Sequence, residues 1–361
     1  MEKDLKKKFA VLDFNYQPDV RHTPKSFSND IIRYGITNLQ PEYYLDLYYK
    51  SPTHSGIINK KSQMCAGQSI SFSNGSAEFF AKDINFDEIW RKCITDYFIY
   101  GSFSLEIVAK TFENKIATIL YQDPSNVRLT EQPQELALSS SWSVWDNYTK
   151  SNTDPIIRVN RFEFSNSTIE SGIMLNIFEG PGVSYYSFPE YFSAIDSIET
   201  EIMLIKQQAN FIKNNFSLSS IIKLPGTYSP EEMDLLSSEI KKNFSGPENA
   251  GKMLCLAADG DKAIEVIPVS VPIDSAGIEG FLNIARQNIM LAHNIPSPSI
   301  VGLPNSTGFN ASGEELAVAY TTWFNVNILP VQNKVKTIFE KLFALSGNET
   351  ELIIENYKLF I

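Results

Sequence analysis

The chain has 361 residues, of which 43% are apolar, enough for packed cores and more than one hydrophobic core usually serves. Its 42 acidic residues outnumber the 31 basic ones, giving a formal net charge of −11. This balance argues against a protein that wraps nucleic acid tightly, because such binding depends on neutralising phosphates with lysine and arginine.

Targeting and redox signals are equally sparse. The first residues, MEKDLKKKFAV, lack the apolar core of a signal peptide, and no run approaches the ~18 apolar residues of a membrane span. Cys65, Cys93 and Cys255 lie far apart and form no C-x-x-C pair, which favours buried thiols over a disulfide or a metal site. We therefore expect neither secretion nor a membrane partner.

Residues 1–40 show no periodicity and hold a small lysine cluster, so we predict an extended arm. A mixed α/β region follows, over residues 41–186. It begins with two short helices separated at Pro52 and continues with a helix from Phe86 to Tyr100 that stops before a glycine.

Runs rich in β-forming residues come after that helix, and we predict strands for them: SFSLEIVAK, KIATILYQDP, NVRLTE, IIRVNRFEF and GIMLNIFEG. Between residues 132 and 155 the pattern gives way to Ser, Gln and Asn. We expect an insertion or a flexible hairpin there, around Trp142 and Trp145.

The clearest helix of the sequence runs from Ser187 to Asn214. Apolar residues recur along it at alternating intervals of four and three and form a narrow seam, made of Tyr191, Ile195, Ile198, Ile202, Ile205, Ala209 and Ile212. Such a seam packs against one neighbouring helix, either in the same chain or in another copy of it. Lys206 and Lys213 lie off the seam on one face of the helix, seven residues apart.

A small β-α-β-β module is predicted next, over residues 218–272. It contains GPENAGK, which matches a phosphate-loop pattern, but Met253 stands where serine or threonine would bind magnesium. A helix precedes this run and a strand follows it, the reverse of the order that a phosphate loop needs. We therefore favour a tight helix-to-strand turn.

The stretch from Ile273 to Leu345 is predicted as a helix ending near His293, a long loop, and a second long helix. Pro296 and Pro298 force the chain out of the first helix. The connection is about twice the two to eight residues that usually join packed helices, and ordered loops of such length are usually functional.

No catalytic constellation stands out. The histidines His22, His54 and His293 have no metal-binding spacing, and no G-x-S-x-G or dinucleotide-binding motif occurs. His293, at the end of a helix, is explained by a favourable interaction with the helix dipole. We expect no enzyme, no catalytic or metal-binding residue and no cofactor.

The order of these parts resembles the portal proteins of tailed double-stranded DNA phages, closest to the portal type of HK97-like phages. The resemblance is carried by FSGPENAGKMLCL in the module, the helix ending AHNIPSPSIVGL, the loop-to-helix junction STGFNASGEE and the proline kink NILPVQNKV. It implies an α+β portal fold assembled as a ring. The implied domains are the arm (1–40), wing (41–186), first stem helix (187–217), clip (218–272), second stem helix (273–294), tunnel loop (295–312), long kinked helix (313–345) and a short carboxy-terminal segment with a rudimentary or absent crown (346–361).

The resemblance also implies a function: a channel, usually of twelve copies, at one capsid vertex, through which DNA is packaged and ejected. The implied partners are other copies of the chain, translocating double-stranded DNA, the terminase large subunit, a head–tail adaptor and the major capsid protein. The implied location is the virion, after assembly in the host cytoplasm. The alternatives are another phage structural or scaffold protein and a cytosolic nucleotide-dependent enzyme.

On this map the tunnel loop narrows the channel, and we expect its constriction at Pro304, Asn305, Ser306, Thr307 and Asn310. If copies of the first stem helix line the pore, Lys206 and Lys213 become two rings of positive charge in an acidic wall. Such a wall holds DNA weakly and lets it slide.

Overall fold

The computed structural model describes residues 30–74, 85–142, 156–165, 168–178, 185–214, 219–223, 265–269, 275–302, 313–347 and 349–357. It describes the backbone alone for residues 210–214, 219–223, 265–269, 275–276 and 313–315. The chain forms two compact units. Unit 1 comprises Met1–Tyr49, Ser55–Glu190 and Ser297–Ile361, and unit 2 comprises Lys50–His54 and Tyr191–Pro296.

The helices of unit 1 match the predicted periodicities. They are α1 (Gln40–Lys50), α2 (Pro52–Ala66, whose first three residues belong to unit 2), α3 (Phe86–Tyr100), α6 (Gly313–Trp323) and α7 (Leu329–Leu345). The break at Pro52 and the extent of α3 are confirmed. Gly101 ends α3 in the left-handed region, with φ of 71°, and its N–H donates to the Tyr97 carbonyl.

An aromatic core joins α3 to α7. Phe86 and Trp90 of α3 contact Phe339 of α7 edge to face, with ring centroids 5.2 and 5.7 Å apart. Phe103, on the strand that follows α3, stacks on the same Phe339 ring at 6.2 Å. These rings are buried, so the core draws together segments more than 230 residues apart in sequence.

Among the described residues, the strands of unit 1 form three small antiparallel sheets. The strands are β1 (Ser69–Phe72), β2 (Ser102–Lys110), β3 (Lys115–Gln122), β4 (Val127–Leu129), β5 (Glu135–Leu138), β6 (Ile157–Asn160), β7 (Gly172–Ile177) and β10 (Leu352–Glu355). Their orders are β3-β2-β7, β4-β5-β6 and β1-β10. In the first sheet Leu105 of β2 lies opposite both Tyr121 and Met174.

The expected hairpin around Trp142 and Trp145 agrees with the antiparallel pairing of β5 with β6, but the strand at the start of residues 132–155 was not predicted. Residues 135–138 form the central strand of the β4-β5-β6 sheet, and Trp142 is buried. The sequence ELAL is too short to show alternation, so its strand character depends on the partners on both sides. Trp145 lies outside the described residues.

A buried arginine fixes the segment before α1. Arg128 donates from Nε to Asn38 Oδ1 at 2.9 Å, from Nη2 to the Asn38 carbonyl at 2.8 Å and from Nη1 to the Ser125 carbonyl at 2.6 Å. Its guanidinium also lies 4.8 Å from the centre of a Trp142 ring. Residues 30–38, which the sequence placed in the extended arm, thus include an ordered part whose Ile31, Ile32 and Tyr34 are buried.

The predicted proline kink takes the form of a π-helical turn. Residues Phe324–Ile328 are π-helical between α6 and α7, and Pro330 is the second residue of α7. Proline lacks the N–H that would bond one turn back and its ring crowds the carbonyl there, so a local change of helix type removes the clash.

The described part of unit 2 consists of two long helices and a strand pair. Helix α4 spans Ile195–Asn214, after a 3₁₀ turn at Glu190–Ala194, and α5 spans Ser275–Ala292. Strands β8 (Ser219–Lys223) and β9 (Glu265–Val269) pair antiparallel. The predicted helix of the module and the GPENAGK run lie outside the described residues.

Candidate functional site

The seam of α4 is directed inward within unit 2. Ile195 and Ile198 are buried, while Ile202, Ile205 and Ala209 are half-buried; the side chain of Ile212 lies outside the description. Helix α5 supplies the opposing stripe, with Ala285 and Ile289 buried. The seam is thus accounted for within one chain in this part of α4.

A fully buried carboxylate lies at the edge of this seam. Glu201 accepts hydrogen bonds from the hydroxyl of Ser51, from the hydroxyl of Thr53 at 2.5 Å and from the Thr53 N–H at 3.3 Å. Arg286 Nε of α5 lies 3.4 Å from Glu201 Oε1. The carboxylate therefore caps the start of α2 and attaches residues 50–54 to α4 and α5.

A second buried polar contact lies between histidines. His54 Nδ1 and His293 Nε2 are 3.0 Å apart, and the ring of Tyr191 meets His54 edge to face at 4.2 Å. The other ring nitrogen of His54 is buried without a hydrogen-bond partner among the described residues. Since a bare N–H is costlier to bury than a bare lone pair, we infer that Nδ1 of His54 carries the proton and donates to His293.

Burial, reinforced by repulsion from His293, lowers the pKa of His54 from 6.5 to about 2. His54 is therefore neutral near pH 7. Two imidazole nitrogens do not make a metal site, and the described part of the chain holds no group of three potential metal ligands.

Neither contact was predicted as part of a site. His293 had been assigned to the helix dipole, and Glu201 was passed over although it lies between Ile198 and Ile202 of the seam. An acid so close to an apolar seam is the signal that could have identified it, because a carboxylate there must find donors.

Exposed apolar side chains mark two further surfaces, one in each unit. In unit 2, Phe281, Ile284 and Leu291 of α5 are 63%, 56% and 76% exposed. In unit 1, Val318 of α6 and Val326 of the π-helical turn are 66% and 65% exposed. Such side chains in a row usually belong to an interface.

The remaining predicted site residues are only partly described. Lys206 is exposed on α4. The side chain of Lys213 and the constriction residues Pro304, Asn305, Ser306, Thr307 and Asn310 lie outside the description. Among the described residues no helix has the length and apolarity that a membrane span requires.

A comparison with family models identifies one family. A family model described as phage portal protein matches residues 80–352. A comparison with curated protein sequences gives no match.

The fold is similar to that of chains in gene transfer agent (GTA) particles. One belongs to the neck of an empty GTA particle computed with C6 symmetry, with a TM-score of 0.56, 14% identity, and coverage of 88% of this chain and 84% of that chain. Another belongs to the virion of a native GTA particle, with a TM-score of 0.51, 14% identity, and coverage of 88% and 83%. A third belongs to the neck of a native GTA particle computed with C12 symmetry, with a TM-score of 0.50, 14% identity, and coverage of 88% and 84%. At this level of identity the likeness concerns the fold, and the predicted α+β class is confirmed.

Proposed function

This chain belongs to the phage portal protein family, and we propose that its copies close into a ring of about twelve around a channel for double-stranded DNA. The ring has a structural, non-enzymatic role at one capsid vertex of the virion. It passes DNA during packaging and ejection, and it docks the terminase large subunit, a head–tail adaptor and the major capsid protein.

The observation that supports a ring best is the apolar surface of α6 and the π-helical turn. Its apolar residues are Leu316, Ala317, Val318, Ala319, Tyr320, Trp323, Phe324, Val326 and Ile328, interrupted by Thr321, Thr322, Asn325 and Asn327. Of these apolar residues, Trp323 and Ile328 are buried in the single chain, whereas Val318 and Val326 are 66% and 65% exposed. Neighbouring copies in a ring would supply the missing cover.

Family membership and symmetry support the rest of the proposal. The GTA necks whose fold this chain shares were computed with C6 and C12 symmetry, and we extend such symmetry to this chain. The wing, stem, clip and tunnel-loop assignments are part of the proposal, as is the constriction at residues 304–307 and Asn310. The net charge of −11 suits a wall that DNA slides past.

The channel lysines belong to the same proposal. Lys206 and Lys213 would repeat around the axis once in every copy, so each would form a ring of positive charge. Two such rings in an acidic wall would contact phosphates briefly without holding the DNA.

The ring is tested by the mass of the purified protein. The wild type should sediment with a mass about twelve times the 40.7 kDa of one chain. Val318→Lys should shift the protein towards single chains, because it places a charge inside the proposed contact. Asn333→Lys, at an exposed polar position of α7, is the control and should preserve the assembly. Equal behaviour of the two variants would contradict the role of α6.

A further inference from the structure

A buried carboxyl group of unit 1 has surroundings unlike those of Glu201. Asp96 belongs to α3 and is buried, and the hydroxyl of Tyr121 on β3 is hydrogen-bonded to it. Oδ2 of Asp96 is buried without a hydrogen-bond partner among the described residues. A carboxylate needs donors at both oxygens, as Glu201 has, whereas a neutral acid can donate its proton to Tyr121 and leave only a bare carbonyl oxygen. The surroundings of Asp96 therefore suit the protonated form.

The contact between Asp96 and Tyr121 joins α3 to the edge of a sheet. In the order β3-β2-β7, strand β3 pairs with β2 alone. Tyr121 lies opposite the buried Leu105 of β2, near the carboxyl end of β3, so both side chains project from the same face of the sheet. Lys92, one turn before Asp96 on α3, places Nζ 5.0 Å from the centre of the Tyr121 ring. Two side chains of α3 thus hold Tyr121, and through it the edge strand.

The charge of Asp96 is governed by its burial and by neighbouring titratable groups. Burial raises the pKa of Asp96 well above its usual value; the Tyr121 hydroxyl and Lys92 lower this pKa, and Asp123, which follows β3, raises it. Cys93, on the same helix, has its own pKa raised, first by burial and then by Asp96, so its thiol adds no charge near pH 7.

The other elements packed against α3 bring little charge to Asp96. Uncharged side chains form the layer between α3, β2 and α7: Phe103, Leu105, Ile107, Phe339 and Phe343. From α2, Lys61 lies over the ring of Phe98 and is paired with Glu190. Phe98 follows Asp96 by two residues and therefore projects from the other side of α3.

We propose that Asp96 and Tyr121 form a proton-dependent latch, which holds β3 against α3 while Asp96 is protonated and loosens when Asp96 ionises. An ionised Asp96 would be a buried charge with too few donors, so ionisation favours a state in which β3 lifts away and water reaches the carboxylate. The stability that protonated Asp96 contributes is fully present below about pH 4 and is lost as the pH rises towards the pKa that Asp96 has in the folded state. The latch lies within one chain and does not depend on the proposed ring.

Infrared spectroscopy tests the proton on Asp96. At about pH 6 exposed carboxyl groups are ionised, so the spectrum of the wild type minus that of Asp96→Asn should contain the carbonyl band of one protonated carboxylic acid. Asp87→Asn, on the same helix in a partly exposed pair with Arg91, is the control and should give no such band. The wild-type band should also disappear on unfolding in guanidinium chloride, a measurement that needs no variant. Absence of the band would overturn the proposal.

Hydrogen exchange of the β3 amides tests the latch itself. After correction for intrinsic rates, the protection of these amides should fall about tenfold between pH 5 and pH 6 in the wild type relative to Asp96→Asn, because opening releases one proton. Asp87→Asn should behave as the wild type. Tyr121→Phe should lower the protection at pH 5 by about fivefold while the infrared band of Asp96 remains, because it removes the hydrogen bond but not the buried acid. Equal pH dependence in wild type and Asp96→Asn, or equal protection in wild type and Tyr121→Phe, would overturn the latch.

Discussion

Acid should loosen the His54–His293 contact, and the size of the effect can be worked out. Folding lowers the pKa of His54 from 6.5 to about 2. The stability that neutral His54 contributes is therefore present above pH 6.5 and is lost as the pH falls towards the pKa that His54 has in the folded state. Between pH 7 and pH 5 the unfolded chain gains a proton that the folded chain does not bind. Proton linkage then lowers the free energy of unfolding by about 2 kcal/mol between these two pH values. This loss is nearly the same for any folded-state pKa of His54 below about 4.

Hydrogen exchange of the α5 amides, and of the His293 amide that follows α5 and donates to the Ile289 carbonyl at 3.1 Å, reports on this contact. After correction for intrinsic rates, protection in the wild type should fall about 25-fold between pH 7 and pH 5. His54→Asn keeps a side-chain amide near the position of Nδ1 but does not titrate, so its protection should change less than about threefold. His22→Asn is the control and should behave as the wild type. Equal pH dependence in wild type and His54→Asn would refute the reasoning.

Three further predictions concern stability. Glu201→Gln should lower the free energy of unfolding of unit 2 by about 2 kcal/mol because it weakens several charge-assisted hydrogen bonds. Glu279→Gln, at an exposed position of α5, should change that free energy by less than about 0.5 kcal/mol. Both are measured by urea titration monitored by hydrogen exchange. Arg128→Met should cost unit 1 about 3 kcal/mol in urea titrations followed by tryptophan fluorescence, since it leaves the Asn38 and Ser125 acceptors without their donor. Phe339→Ala should cost about 3–5 kcal/mol in the same assay through the cavity it leaves, and a loss below about 1 kcal/mol would contradict the aromatic core.

What the sequence could predict depended on local pattern. The helix Phe86–Tyr100 and the break at Pro52 follow from periodicity and turn chemistry within a few residues, and the structure confirms them. The α part of α4 begins later than expected, at Ile195, because Glu190–Ala194 takes up a 3₁₀ turn. Such boundary shifts are common where a helix start is read from sequence.

What the sequence could not predict involves distant partners. Strands β1 and β10 pair although they are 280 residues apart, and each has four residues, too few for a clear alternation. The donors to Glu201 on residues 51 and 53 are about 150 residues away, and the two histidines are 239 residues apart. The burial of these groups depends on the tertiary fold, so the local spacing of residues in the sequence does not predict it.

The central claim is a closed ring with a hole wide enough for duplex DNA. Electron microscopy of the purified wild-type protein, with symmetry determined from unbiased class averages, tests it most directly. The account predicts rings with a central opening and the exposed face of α6 enclosed between neighbouring copies. Particles that remain single chains across a range of salt and protein concentrations would contradict it.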